Sequence, residues 1–214
     1  MKKTLFILLL SILFAGTSFA QVKVGVTVGL NSSSFSETGD EAEEYNYLIG
    51  LQAGLVVDFK ITEIVSVIPE LLFSQRGAYQ LFEQVGNAKN TQKNYCILNY
   101  LQLPLNLAAN FKVGQSSKFT VFAGPYAGYL LNAQQKIETE IDGEKTTETE
   151  DIKIGSGKEE MKALDYGINI GAGYQFGNGM FIKVQYNLGL NNLYNYDSRT
   201  LKNRNLAITI GYYF

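Results

Sequence analysis

The chain contains no histidine and no tryptophan, a single cysteine, Cys96, and only three prolines among 214 residues. Without imidazole, the Ser-His and Cys-His nucleophile arrangements are closed to it, and so is the commonest general base. One cysteine makes no internal disulfide, so the fold has to hold by packing and hydrogen bonding. No segment approaches the roughly 20 consecutive apolar residues that a spanning helix needs. No basic stretch interleaved with aromatics points to nucleic acid.

What is present starts with an export signal. Residues 1–20 carry Lys2 and Lys3, an apolar run from Leu5 to Phe14, and Ser18 and Ala20 at the spacing a signal peptidase reads. The mature chain is expected to begin at Gln21, and with no cysteine at the cleavage site no lipid anchor is expected. Residues 21–214 suit one domain. Twenty-one glycines, fourteen tyrosines and thirteen phenylalanines enrich it in the residues that line and girdle barrels. Acidic residues concentrate in segments 31–46 and 133–161, leaving the rest of the mature chain basic.

Period-two alternation, the signature of strands, recurs through the mature chain. Val22, Val24, Val26, Val28 and Leu30 share one face of a first strand, opposite Lys23, Gly25, Thr27 and Gly29. A second strand covers Tyr47–Phe59, a third runs from Val65 to Arg76, and a fourth from Ile97 to Phe111. The fifth, Phe119–Asn132, is apolar on both faces, but Gly124 and Gly128 fall with Thr120. The sixth runs from Leu164 to Phe176, the seventh from Met180 to Leu190, and the eighth from Asn205 to Phe214. Connections alternate long and short, and no charge falls on any apolar face. A charge on a lipid-facing strand costs roughly 2–4 kcal/mol at mid-depth. The expected fold is therefore all-β: an eight-stranded antiparallel up-and-down transmembrane β-barrel with a side-chain-filled lumen.

On this reading the segments 31–46, 77–94, 133–161 and 192–203 are external loops, and both termini are periplasmic. Asp142-Gly143 favours a tight turn, so the fifth and sixth strands are expected to continue past the membrane as a polar hairpin. Lys23, Arg76 and Lys183 face the lumen with Asp58, Glu70 and Asp165, three charges of each sign that form a structural polar network. A soluble lipocalin-like barrel would bury its aliphatic face instead, and its Gly-x-Trp start is missing. Tyr47, Tyr95, Tyr129 and Tyr166 mark one girdle, and Phe59, Phe111, Phe119, Phe176, Tyr212 and Phe214 the other. Tyr212 and Phe214, at the terminal strand, are the expected assembly signal.

The motifs Pro69-Glu70-Leu71-Leu72-Phe73-Ser74-Gln75-Arg76-Gly77-Ala78, Asn99-Tyr100-Leu101-Gln102-Leu103-Pro104-Leu105 and Phe122-Ala123-Gly124-Pro125-Tyr126 are followed by Asp165-Tyr166-Gly167 with Gly171-Ala172-Gly173. Gln185-Tyr186-Asn187-Leu188-Gly189-Leu190 and Lys202-Asn203-Arg204 complete the series. In order and spacing this resembles the PorT-like outer-membrane β-barrel family. The resemblance implies an eight-stranded outer-membrane barrel and, through founding members tied to a secretion system, an accessory role in protein export.

The expected function is that of a non-enzymatic outer-membrane barrel with a structural or interaction role in the envelope. The alternative is a ligand-binding or adhesive barrel acting through its acidic loops. The partners implied are the bilayer, the barrel-assembly machinery during insertion, and an envelope or secretion-system protein. No catalytic, cofactor or metal site is expected: the acidic spacing in 31–46 and 133–161 matches no defined calcium loop, and a charge run ordinarily makes a solvated surface.

Overall fold

The computed structural model describes residues 21–39, 43–85, 89–141, 143–157, 160–195 and 199–214. The segment read as a leader, 1–20, lies outside them, as do Asp40, Glu41, Asp142 and Glu159 of the acidic segments. The strands are β1 (Gln21–Thr38), β2 (Asn46–Lys60), β3 (Val65–Val85), β4 (Lys89–Val113), β5 (Ser117–Ile141), β6 (Glu144–Asp151), β7 (Leu164–Gln175), β8 (Met180–Gly189) and β9 (Thr200–Tyr213). All pair antiparallel with their neighbours, and β1 pairs with β9 from Gly25↔Tyr213 to Thr38↔Thr200, which closes the sheet on itself. Strand β6 pairs only with β5, so eight strands form the ring and β6 stands outside it.

Burial is inverted relative to a water-soluble protein. Leu103, Leu107 and Ile170 are 56%, 60% and 62% exposed on the outer face, while Gln102, Asn106 and Asn169 are fully buried within. Such a wall is stable only where lipid covers it. Of the girdle residues, Tyr47, Tyr129, Tyr166, Phe111, Phe119, Phe176, Tyr212 and Phe214 lie exposed, while Phe59 and Tyr95 are half-buried. On β5 the burial pattern sets Thr120, Phe122, Tyr126 and Leu130 inward and Val121, Ala123 and Tyr129 outward, on the phase that Gly124 and Gly128 indicated.

Short turns at 61–64, 114–116 and 176–179 share one end of the barrel with Gln21 and Phe214. Gly114 (φ +65°) and Gly179 (φ +92°) take backbone conformations disfavoured for other residues. At the opposite end the strands outrun the expected loops. Segment 77–94 is largely strand, not loop: β3 and β4 stay paired from Ala78↔Cys96 to Val85↔Lys89. Likewise β1 continues to Thr38 and β9 begins at Thr200, so 31–46 and 192–203 are shorter as loops than their polarity suggested. Leaving the apolar band removes the need for a greasy face but not the backbone ladder, and cross-strand pairs such as Tyr79–Tyr95, with ring centroids 5.4 Å apart, sustain it.

The predicted hairpin forms between β5 and β6, from Gln134↔Asp151 to Ile141↔Glu144. Its returning arm is nevertheless separate from β7. Ile152 and Ile154 pack onto an apolar cluster inside the barrel mouth, and Met161 is buried in that cluster, so the chain turns inward before β7 starts at Leu164.

One seam uses side chains in place of a ladder. The β2–β3 register slips between Tyr47 and Gln52. There Ser33 of β1 reaches past β2: its Oγ accepts from the Gly77 amide at 2.8 Å and donates to the Gly77 carbonyl at 2.9 Å. The Asn31 amide donates to the Gln75 carbonyl at 2.9 Å. The β3 groups left open by the bulge are thus satisfied from inside. A Cβ on Gly77 would lie 1.9 Å from the Cys96 carbonyl oxygen, so only glycine fits.

Leu105→Arg, on the outer face midway along β4, is expected to lower folding free energy in lipid vesicles by roughly 2–4 kcal/mol. Thr149→Arg, on the exposed hairpin, is expected to change it by no more than about 0.5 kcal/mol. Urea titration followed by tyrosine fluorescence or electrophoretic heat-modifiability measures both.

Candidate functional site

The inward faces of all eight ring strands meet in a lumen built in tiers. At the mouth, Leu98, Tyr100, Leu130, Leu193 and Leu201 form an apolar cap that is fully buried, together with Phe35 and Met161. At the short-turn end, Val56, Ile68, Ala108, Phe122, Phe181 and Tyr213 form a second apolar cluster. A polar waist joins them.

Two ion pairs organise the waist. Arg76 Nη1 lies 3.6 Å from Asp165 Oδ2, with both side chains buried. Arg76 also donates to Ser74 Oγ at 3.2 Å and to Gln102, and its guanidinium sits 5.3 Å from the Tyr126 ring centroid. Asp165 accepts from the Tyr126 hydroxyl at 3.2 Å and from Asn203 at 2.9 Å. Lys183 donates to Glu70, whose other oxygen accepts from Asn106 at 3.3 Å. From Asn106 a chain of amides continues through Asn169 and Asn187 to Gln185. Each charge is neutralised by an opposite one, and Arg76, Asp165 and Glu70 are held by further hydrogen bonds, the condition under which charges persist in a low-dielectric interior.

The remaining two charges of the expected network are arranged differently. Asp58 pairs with Lys118 at 2.7 Å rather than with Lys23. Lys23 is half-buried on the lumen side and makes no ion pair among the described residues. The sequence reading missed Lys118 because it stands next to the turn at Ser117, yet it is two residues before Thr120 and so on the lumen face. It also missed Tyr100 and Tyr126, whose hydroxyls enter the network: an inward aromatic looks like an outward one until the phase of its strand is known.

Glu70 and Asp165 are each paired with a cation, and Asp165 also accepts from the Tyr126 hydroxyl. Among the described residues, no three acidic or thiol groups converge as a metal site. Cys96 lies beyond the apolar band, half-buried against the cap, and burial pushes its thiol up to about 12, which keeps it protonated at neutral pH.

Above the cap lies a cavity of about 620 Å³, lined in part by Phe35, Tyr45, Tyr194, Met161, Glu43 and Arg199. The Tyr45 hydroxyl donates to Glu37 at 3.0 Å, and burial with the neighbouring Tyr194 and Glu37 raises its pKa. Glu37 in turn lies 3.7 Å from Arg199. The cavity ends on the apolar cap. At the far end of the lumen a small space of about 40 Å³ lies beside Lys183 and Glu70.

Inverted burial, a closed eight-strand ring and a polar lumen are features of an outer-membrane barrel, and residues 19–195 match the family model for the outer membrane protein beta-barrel domain. The chain belongs to this family. Its fold class is that of an all-β, eight-stranded antiparallel barrel embedded in the outer-membrane bilayer. Similar solved structures include the attachment invasion locus protein Ail of Yersinia pestis, with 16% identity over 91% of this chain and 99% of that chain and a TM-score of 0.38. Neisserial surface protein A matches at 10% identity over 91% and 99%, with a TM-score of 0.40. The N-terminal β-barrel domain of Pseudomonas aeruginosa OprF matches at 15% over 91% and 100%, with a TM-score of 0.34. No curated protein sequence matches the chain.

Lys183→Met leaves Glu70 buried and unpaired and is expected to destabilise the barrel by roughly 3–5 kcal/mol. Adding Glu70→Gln removes the orphaned charge and should restore most of that loss, as read by urea midpoints of the single and double variants. Reconstituted in planar bilayers, the unaltered barrel is expected to show no steady conductance; a stable ohmic channel would mean the waist opens.

Proposed function

We propose that this barrel is a non-enzymatic protein of the cell envelope that works by contact with other proteins rather than by passing solutes. The observation that carries this reading is the closed lumen. Two ion pairs and their amide chain fill the waist, and apolar clusters close it on either side. A wall without a path leaves its two ends as working surfaces. The lack of histidine and the pairing of both waist carboxylates support a non-catalytic role.

The finer assignment is to the PorT-like barrels, with an accessory role in protein secretion, and rests on the motif series from Pro69 to Arg204. In this reading residues 1–20 are a leader removed before Gln21, and residues 21–214 are the mature barrel domain. The short turns and both termini face the periplasm, and the long hairpins face outward. Lys23, Asp58, Glu70, Arg76, Asp165 and Lys183 serve structure and not transport. Tyr212 and Phe214, exposed at the end of the closing strand, are the signal read by the assembly machinery during insertion.

A second reading, a ligand-binding or adhesive surface barrel, is favoured by one specific feature. The β5–β6 hairpin projects from the long-loop end, and every residue of β6 is exposed.

Site-specific cross-linking in intact cells tests the proposal, with Cys96→Ser as background and a cysteine introduced at Thr147 or at Ser116 in the opposite turn. A stoichiometric partner captured at one of these faces is the expected result, and its identity names the process. Capture of nothing at either face, with secreted and envelope proteins unchanged on deletion of the gene, would overturn the interaction role.

A further inference from the structure

The upper parts of β3, β4 and β5 stay paired beyond the lipid band, and β6 adds a fourth strand along β5. The result is a four-stranded fin, and its last strand has a ladder on one side only. Ile152 N–H bonds to the Ala133 carbonyl at 2.8 Å, which sets the parity of the hairpin. Alternate residues back from Ile152 therefore bond to β5. The amide and carbonyl groups of Lys145, Thr147, Thr149 and Asp151 point the other way, toward water.

A row of unpaired backbone groups on an exposed strand is a template for another strand. The opposite edge of the fin is less open, because Gln80 of β3 bonds to Glu43 in the β1–β2 connection. Among the described residues, nothing but β5 touches β6 through a backbone pairing. The strand carries Glu144, Glu148, Glu150 and Asp151 against one cation, Lys145, which is already engaged by Glu140 at 3.3 Å. Glu138 and Glu140 of β5 stand alongside.

These charges choose the occupant. A second copy of β6 would set glutamates against glutamates, and like charges directly opposite one another destabilise a strand pair. A strand with lysine or arginine at every second position would match Glu144, Glu148 and Glu150, which share one face of β6, while threonine-sized residues would meet Thr147 and Thr149 on the other. We propose that the outer edge of β6 is a docking site for a basic, extended polypeptide segment, which it takes up by adding an antiparallel or parallel strand to the fin. The docked segment gains backbone hydrogen bonds along its length, and the alternating acidic face sets which segments qualify. This proposal rests on the contact role argued above and names the chemistry of one partner.

The test uses the mature barrel in lipid nanodiscs and a fluorescent synthetic peptide alternating lysine with threonine, read by anisotropy. Three results are expected together. The peptide binds and is weakened by salt, its glutamate-for-lysine counterpart does not bind, and N-methylation of alternate peptide amides weakens binding roughly tenfold or more by removing edge hydrogen bonds. The double variant Thr147→Pro with Thr149→Pro removes two outward amides without touching those bonded to β5, and should weaken the unmethylated peptide to a similar extent. Equal binding by the methylated peptide would reduce the interaction to adsorption on acidic side chains and overturn strand addition, as would no binding at all. If the peptide fails while a cysteine at Thr147 still captures a cellular partner, the contact role stands and edge pairing alone is lost.

Discussion

Hydrocarbon offers a backbone amide nothing to bond with, so every strand that crosses it needs a partner on both sides. The pairing of β1 with β9 meets that demand, because without it both strands would present an open edge to lipid. Closure then dictates much else. A ring of eight strands encloses a narrow bore, inward side chains must share it, and outward ones must be apolar. The slipped register between β2 and β3 shows how strict the demand is: where the ladder fails, Asn31 and Ser33 supply the missing bonds from a strand away.

The lumen answers a different constraint. Charges shut away from water have to be matched in place, and the waist does so with Arg76–Asp165 and Lys183–Glu70 rather than with an open aqueous channel. Removing either member of a pair leaves the other stranded, so these residues form one unit of structure. Tyr100 and Tyr126 extend the unit, each presenting an apolar ring to the packing and a hydroxyl to the network. Apolar clusters flank it above and below.

At the long-loop end the same ladder continues without the lipid that first required it. Polar side chains on both faces suit a strand in water as well as a loop, and backbone pairing decides between them. The outcome is a fin whose final strand is paired on one side, a shape that polarity alone does not suggest. Its acidic composition guards that edge against self-association while leaving it open to a cationic segment.

Period-two alternation, the charge-free outer face and the alternating connection lengths were enough to read the barrel, its strand number and its lipid-facing wall. These are local properties of each strand, and the pleat turns sequence parity directly into inside and outside. The same parity puts Lys23, Asp58, Glu70, Arg76, Asp165 and Lys183 on the inward face of their strands. What parity does not encode is height and neighbour. The coupling of Asp58 to Lys118, the entry of Tyr126 into the Asp165 cluster, the apolar tiers, the inward turn after Ile152 and the extension of strands through 77–94 all depend on strand stagger and on contacts between distant segments. Sequence determined which face each residue takes, because that follows from the strand it sits in. Only the closed sheet decided which residues meet, because register across the ring brings together side chains as far apart in the chain as Glu70 and Lys183.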